Sequence, residues 1–165
     1  MKFVSSGSLA RFVRSVDAAP IEARRPFVSA SDESVAASRR ALGQFRILIA
    51  EDDFLIAFDL ETALTNAGFN VVGVAVTADE AIALAASHAP SIVIMDIRLA
   101  GKRDGIDAAL ELFREHGIRC VFASAHSDED ARRRAAPAKP LGWIEKPYSV
   151  AAVVGFITRV VSGKP

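Results

Sequence analysis

The sequence predicts an α/β fold in which five strands, each followed by a helix, build a parallel sheet covered on both faces. Two observations predict it. From residue 45 onward, short apolar runs rich in β-branched residues alternate with longer stretches of helical character. The punctuation between them suits βα units. Gly68 and Gly117 stand where helices should end, and "TADEA" and "HSDED" offer an oxygen cap followed by acids where helices should begin.

Each element follows from its residues. The first strand is 46–50, a brief apolar run with abrupt ends, as expected of a strand buried on both faces. The others are 71–76 ("VVGVAV"), 91–95 ("SIVIM"), 119–123 ("RCVFA") and 142–145 ("GWIE"). Helices are expected at 54–67, 78–87, 105–116, 128–136 and 149–162. In the first of these, Ile56, Leu60, Ala63, Leu64 and Ala67 share a face that can bury against the sheet, while Phe54 and Phe58 point away from it. The fourth helix is short, because Pro137 and Pro140 are poor in a helix interior.

Residues 1–44 have a different texture, rich in Ala, Ser and Arg, without sustained periodicity. They carry seven Lys/Arg against four Asp/Glu, whereas 45–165 carry thirteen against sixteen, so a boundary is placed near residue 45. The expectation is a mostly disordered or partly helical N-terminal extension over 1–44, then one domain over 45–163. Leu9, Phe12, Val13 and Val16 could alternatively form a short amphipathic helix. Overall, 20 basic residues balance 20 acidic ones, so no net field draws the chain to nucleic acid or membrane. A single cysteine, Cys120, excludes an intramolecular disulfide and points to a reducing compartment. No apolar run reaches transmembrane length, and "MKFVSSGSLARFV" lacks a signal peptide's apolar segment. A cytoplasmic location is expected.

The chemistry gathers at strand ends. Glu51 and Asp52 follow the first strand, Asp96 the third, Ser124 the fourth and Lys146 the fifth. In an open α/β sheet, ligands bind beyond the carboxyl ends of the strands. Taken singly, each of these residues reads as a loop residue or helix cap. Together they suit phosphoryl chemistry. Carboxylates a few ångströms apart hold a small hard cation, an aspartate can attack phosphorus, and Lys146 and Ser124 offer donors to a phosphoryl oxygen.

Five segments, "ILIAEDD", "IVIMDIRL", "DGIDA", "VFASAH" and "GWIEKPY", resemble the receiver domain of bacterial two-component response regulators from about Phe45 to Gly163. The resemblance implies a flavodoxin-like, doubly wound (βα)5 sheet of order 2-1-3-4-5. It implies Asp96 as phosphoacceptor for a sensor histidine kinase or histidine phosphotransfer protein. Mg2+ would be held by Asp52, Asp96, the backbone carbonyl of Arg98 and, mainly through water, Glu51. Lys146 would contact the phosphoryl group, Ser124 would move toward it, and Trp143 stands at the switch aromatic. Arg98 and His126 would flank the approach of hydrolytic water.

The implied protein is a signalling switch, not an enzyme, acting on a downstream protein target in the manner of a stand-alone chemotaxis receiver, without direct DNA or membrane binding. Two other readings remain. A haloacid-dehalogenase-like Mg2+ phosphatase also uses an aspartate nucleophile, but wants a second acid two residues on, where Arg98 stands. A degenerate receiver would serve as a constitutive binding module. The sequence departs from the family in "DIRLAGKRDG", one residue longer than usual and without the common proline, and in the bulk of Trp143. Cys120 is expected as a small buried strand residue, and Arg132, Arg133 and Arg134 as solvated helix charges.

Overall fold

The structure, a computed structural model, describes residues 30–125 and 129–163. The N-terminal positions Leu9, Phe12, Val13 and Val16, the Asp128 cap and His126 lie outside the described residues.

The elements run α1 (Ala30–Gly43), β1 (Arg46–Ala50), α2 (Phe54–Ala67), β2 (Asn70–Ala75), α3 (Ala78–His88), β3 (Ile92–Met95), α4 (Gly105–His116), β4 (Cys120–Ser124), α5 (Glu129–Ala135), β5 (Gly142–Glu145) and α6 (Val150–Ser162). A 3-10 turn, Ala136–Ala138, continues α5 and contains Pro137, the residue expected to end it. All neighbouring strands are parallel, in the order β2-β1-β3-β4-β5. The α/β fold and strand order thus stand as the sequence and its resemblance implied.

Two-faced burial explains why the strands read as unbroken apolar runs. Leu48, Val93, Met95, Cys120 and Phe122 face one core layer with the apolar sides of α3 and α4. Ile47, Ile49, Ile94, Val121 and Ala123 face the other, against Leu60 and Leu64 of α2 and Val153 and Ile157 of α6. Cys120 is plain core, and burial pushes its thiol up to about 12. The expected α2 stripe packs here: Leu60 and Leu64 are buried, Ile56 and Ala67 are partly buried against the core, Ala57 joins them, and Ile56 also borders the open end of the sheet.

Caps close the helices as the sequence suggested. Thr77 accepts from the Glu80 N–H at 3.1 Å. Gly68 and Gly117 end α2 and α4 at φ 105° and 67°, the left-handed region a side chain resists. The helix α1 is a finding the sequence supports only in part. Residues 33–41 are exposed, so no amphipathic stripe announces it. It is held at its C-terminal end instead, where Leu42 and Phe45 pack on the core and the Arg39 guanidinium donates to the Asn66 carbonyl.

One glycine positions the chemistry directly. Gly105 opens α4 so close to β3 that an added Cβ would overlap the Asp96 carbonyl oxygen, and its N–H donates to the Ile97 carbonyl at 2.8 Å. Gly105→Ala is therefore expected to cost about 2 kcal/mol or more in denaturation, because backbone has to shift to make room. An unchanged denaturation midpoint would show that the contact relaxes freely.

Candidate functional site at the carboxyl end of the sheet

Backbone pairing delivers the polar residues to one level. The Glu51 N–H donates to the Ala75 carbonyl and the Asp96 N–H to the Ala50 carbonyl, both at 2.9 Å, so each acid is the first residue past its strand. Ser124 ends β4, and the Lys146 N–H donates to its carbonyl at 3.2 Å. Strands lie about 4.8 Å apart, so β5 is about 10 Å from β3. Only a long side chain spans that gap, and Lys146 does so.

Its ammonium lies 2.6 Å from Glu51 Oε2 and 2.6 Å from Asp96 Oδ2. Glu51 is 2 % exposed and Asp96 6 %. Burial raises the Glu51 carboxyl above its ordinary value, against the pull of Lys146. Burial would lower the Lys146 pKa, but its bonds to Asp96 and Glu51 outweigh that and hold it above the usual value. Asp52 is exposed, yet a carboxylate oxygen from each of Glu51, Asp52 and Asp96 lies within 4.8 Å of the others. Asp53, the third acid of the run, has a separate duty: its carboxylate caps α2, accepting from the Leu55 and Ile56 N–H groups.

These residues line an open cleft of about 340 Å³, with Ile56, Arg98, Ser124 and Ala125 completing its wall. Its floor loop is pinned. The Arg98 N–H donates to Asp96 Oδ1 at 3.2 Å, the Ala100 N–H to the Val76 carbonyl at 3.2 Å, and the Arg103 guanidinium bonds Asp79 and Glu111. Asp104 and Asp107 form a capping box on α4. The structure therefore brings together Glu51, Asp52, Asp96, Arg98, Ser124 and Lys146. It leaves Trp143 aside, half-buried, stacked on Phe122 at 4.5 Å with the Arg132 guanidinium 4.9 Å from its ring centre.

The family of this constellation follows from comparison. Residues 47–158 match the response regulator receiver domain. The chain belongs to that family. The transcriptional regulatory protein PdtaR of Mycobacterium tuberculosis is 39% identical over 117 residues, covering 71% of this chain and 57% of that protein. The phyllosphere-induced regulator PhyR of Methylorubrum extorquens is 36% identical over 116 residues, 70% of this chain and 43% of its own length. Among solved structures, the response regulator PhyR from Brucella abortus superposes with a TM-score of 0.60 at 32% identity, covering 72% of this chain and 48% of that one. The chain thus spans about half the length of these relatives.

Receiver chemistry is legible in single residues, but their partners are not. The three arginines of α5 are not simply solvated, as the sequence suggested. Arg134 donates to Asp104 at 2.7 Å and Arg132 covers Trp143, while Arg133 stays within its helix, on Asp130. Tyr148 is a residue that sequence reasoning misses. Its hydroxyl is buried and has no hydrogen-bond partner among the described residues. The burial of a phenol two residues past Lys146 leaves no signal in the sequence beyond its place in "KPY".

Removing the bridging cation should expose what it compensates. Lys146→Ala leaves Glu51 and Asp96 buried together and is expected to cost about 3 kcal/mol at neutral pH. The sign follows from Glu51. Its folded pKa is raised, so ionisation penalises the folded state only above the unfolded value, and fully above the folded one. The difference in thermal midpoint between wild type and Lys146→Ala should shrink toward pH 4.5, the ordinary Glu value. An equal difference at both pH values would assign the loss to packing.

Proposed function

We propose that the protein is a phosphoacceptor switch whose Asp96 takes a phosphoryl group from the phosphohistidine of a sensor histidine kinase or histidine phosphotransfer protein. The observation that carries this reading is Lys146, poised within 2.6 Å of Asp96 at the open end of the sheet. In the transfer, an Asp96 carboxylate oxygen bonds to phosphorus, the donor's phosphorus–nitrogen bond breaks, and its electron pair stays on the imidazole. Such transfer needs positioning and charge neutralisation more than covalent help.

The donor set fits a divalent cation. Three carboxylates and one ammonium leave two negative charges, and the oxygens are grouped tightly enough to share one ion. Glu51, Asp52, Asp96 and the Arg98 carbonyl would hold Mg2+, which when bound supplies positive charge to the phosphoryl oxygens. Arg98, standing where a haloacid-dehalogenase-like phosphatase would need its second acid, speaks against turnover chemistry. Ser124 gives its hydroxyl to the phosphoryl group, and the vacated space lets Trp143 shift, presenting a changed surface to a downstream protein.

Partner choice rests on α2. Phe54, Leu55 and Phe58 are 76%, 71% and 55% exposed, and the two rings lie 6.2 Å apart. Leu42, just upstream in the chain, does not cover them and packs on the core instead. The first turn of α2 also borders the cleft through Asp53 and Ile56. An apolar cluster there suits the helices that carry a kinase's phosphohistidine, since aromatics concentrate binding energy in interfaces. No described helix is long and apolar enough to cross a membrane, and we place the switch in the cytoplasm with its kinase partner.

Incubation with acetyl phosphate and Mg2+ should add one phosphoryl group, read by intact mass, and Asp96→Asn should abolish it. Persistent labelling of that variant would move the site elsewhere. Phe58→Ala should slow phosphotransfer from the cognate kinase on the order of tenfold while leaving acetyl phosphate labelling nearly normal. Equal loss in both reactions would make the residue a support of the fold.

A further inference from the structure

The Lys146 ammonium faces two demands that conflict once Asp96 is phosphorylated. In the resting site it satisfies Glu51 and Asp96 together, 2.6 Å from each. A phosphoryl group on Asp96 brings new oxygens, and the ammonium that follows them loosens its hold on Glu51. That carboxylate is 2 % exposed, so water replaces the lost donor poorly. The Asp53 N–H lies 3.4 Å from Glu51 Oε1, so it is Oε2, the oxygen that Lys146 holds, that needs a replacement donor.

Tyr148 is placed to supply it. Along β1 the side chains alternate, so Glu51 leaves the strand on the same sheet face as Ile47 and Ile49. Tyr148 packs against that face. Its hydroxyl is buried and unpartnered among the described residues, a costly state for a polar group. Burial pushes the phenol up to about 12, and it senses the charges of Lys146, Glu51 and Asp96. A neutral phenol at working pH donates one hydrogen bond and accepts others, and the nearby acceptor that would lose its donor is Glu51 Oε2.

We propose that Tyr148 is a positioning residue of the phosphoacceptor site, whose hydroxyl takes up the Glu51 carboxylate when Lys146 turns to the phosphoryl group. This role rests on the phosphoacceptor reading above. It gives the resting state an idle donor and the phosphorylated state a satisfied one, so the phenol favours phosphorylation without touching phosphorus. Holding Glu51 in place also preserves the carboxylate cluster that would carry the cation.

The chain has one tyrosine and one tryptophan, so the phenol and the indole can each be read in the full-length protein. Wild type and Tyr148→Phe are titrated with beryllofluoride and Mg2+, following Trp143 emission and thermal midpoint. Ultraviolet resonance Raman of wild type follows the hydrogen-bond state of Tyr148. The expected result is a ligand-free midpoint for Tyr148→Phe equal to or above wild type, with beryllofluoride binding weakened on the order of tenfold. The wild-type phenol spectrum should shift to that of a donor on saturation. Unchanged affinity in Tyr148→Phe, an unshifted phenol, or a ligand-free midpoint that falls by as much as the bound one overturns the proposal. Wild type that binds no beryllofluoride overturns the phosphoacceptor reading beneath it, and is told apart because the control itself fails.

Discussion

The interaction on which the site depends is the span of one ammonium across the end of the sheet. Lys146 leaves the edge strand β5, passes over β4 and meets acids that follow β3 and β1. Two carboxylates as buried as Glu51 and Asp96 repel one another, and removing a buried partner costs several times what a surface pair is worth. The strand order makes that span possible. With β1 and β3 adjacent, both acids fall within reach of one long side chain. The same order leaves the cleft open above the neighbouring strand ends, where a phosphoryl donor can enter.

This arrangement is compensated only in part, and that incompleteness is chemically useful. A site whose charges were fully balanced would have little reason to bind a cation. Here the carboxylates outnumber the ammonium, and burial keeps Glu51 harder to ionise than an ordinary glutamate, against the pull of Lys146. The cost is met by the packing below it. Ile47, Leu48, Ile49, Val93, Ile94 and Val121 are essentially fully buried, and the Gly105 backbone lies against that of Asp96. A rigid, two-faced core holds the acids at a spacing they would not choose by themselves.

The sequence announced this core because parallel strands buried on both faces leave unbroken apolar runs, and because Thr77, Gly68 and Gly117 mark helix ends through chemistry local to a few residues. It announced Asp96 and Lys146 because each follows a recognisable strand. What it could not announce was pairing at a distance. Nothing local tells that Arg134 will bond Asp104, that Arg132 will cover Trp143, or that Lys146 will take Glu51 as well as Asp96. The helix α1 registered only as a partly helical extension, for a related reason: its attachments sit at one end, while its body faces solvent. Tyr148 is the extreme case, since a hydroxyl without a partner among the described residues is defined only by the surroundings that fail to satisfy it.

The contacts around Trp143 bear on how sharply such a protein can switch. The indole is held between Phe122 beneath and the Arg132 guanidinium above. Aromatic stacking contributes about 0.5–1.5 kcal/mol, and a half-exposed cation–π contact about 0.5–1 kcal/mol. An indole that moves gives up some part of about 1–2.5 kcal/mol, a resting bias of roughly five- to seventy-fold. In the proposed switch, a bias of that size would keep the unphosphorylated protein mostly in one state, within what a few charge-assisted bonds at Asp96 could overcome. Arg132 belongs to α5, the short helix that begins at Glu129 and follows β4 in the chain. In the proposed switch, the side chain that restrains the indole is therefore carried by the helix that follows the Ser124 strand in the chain.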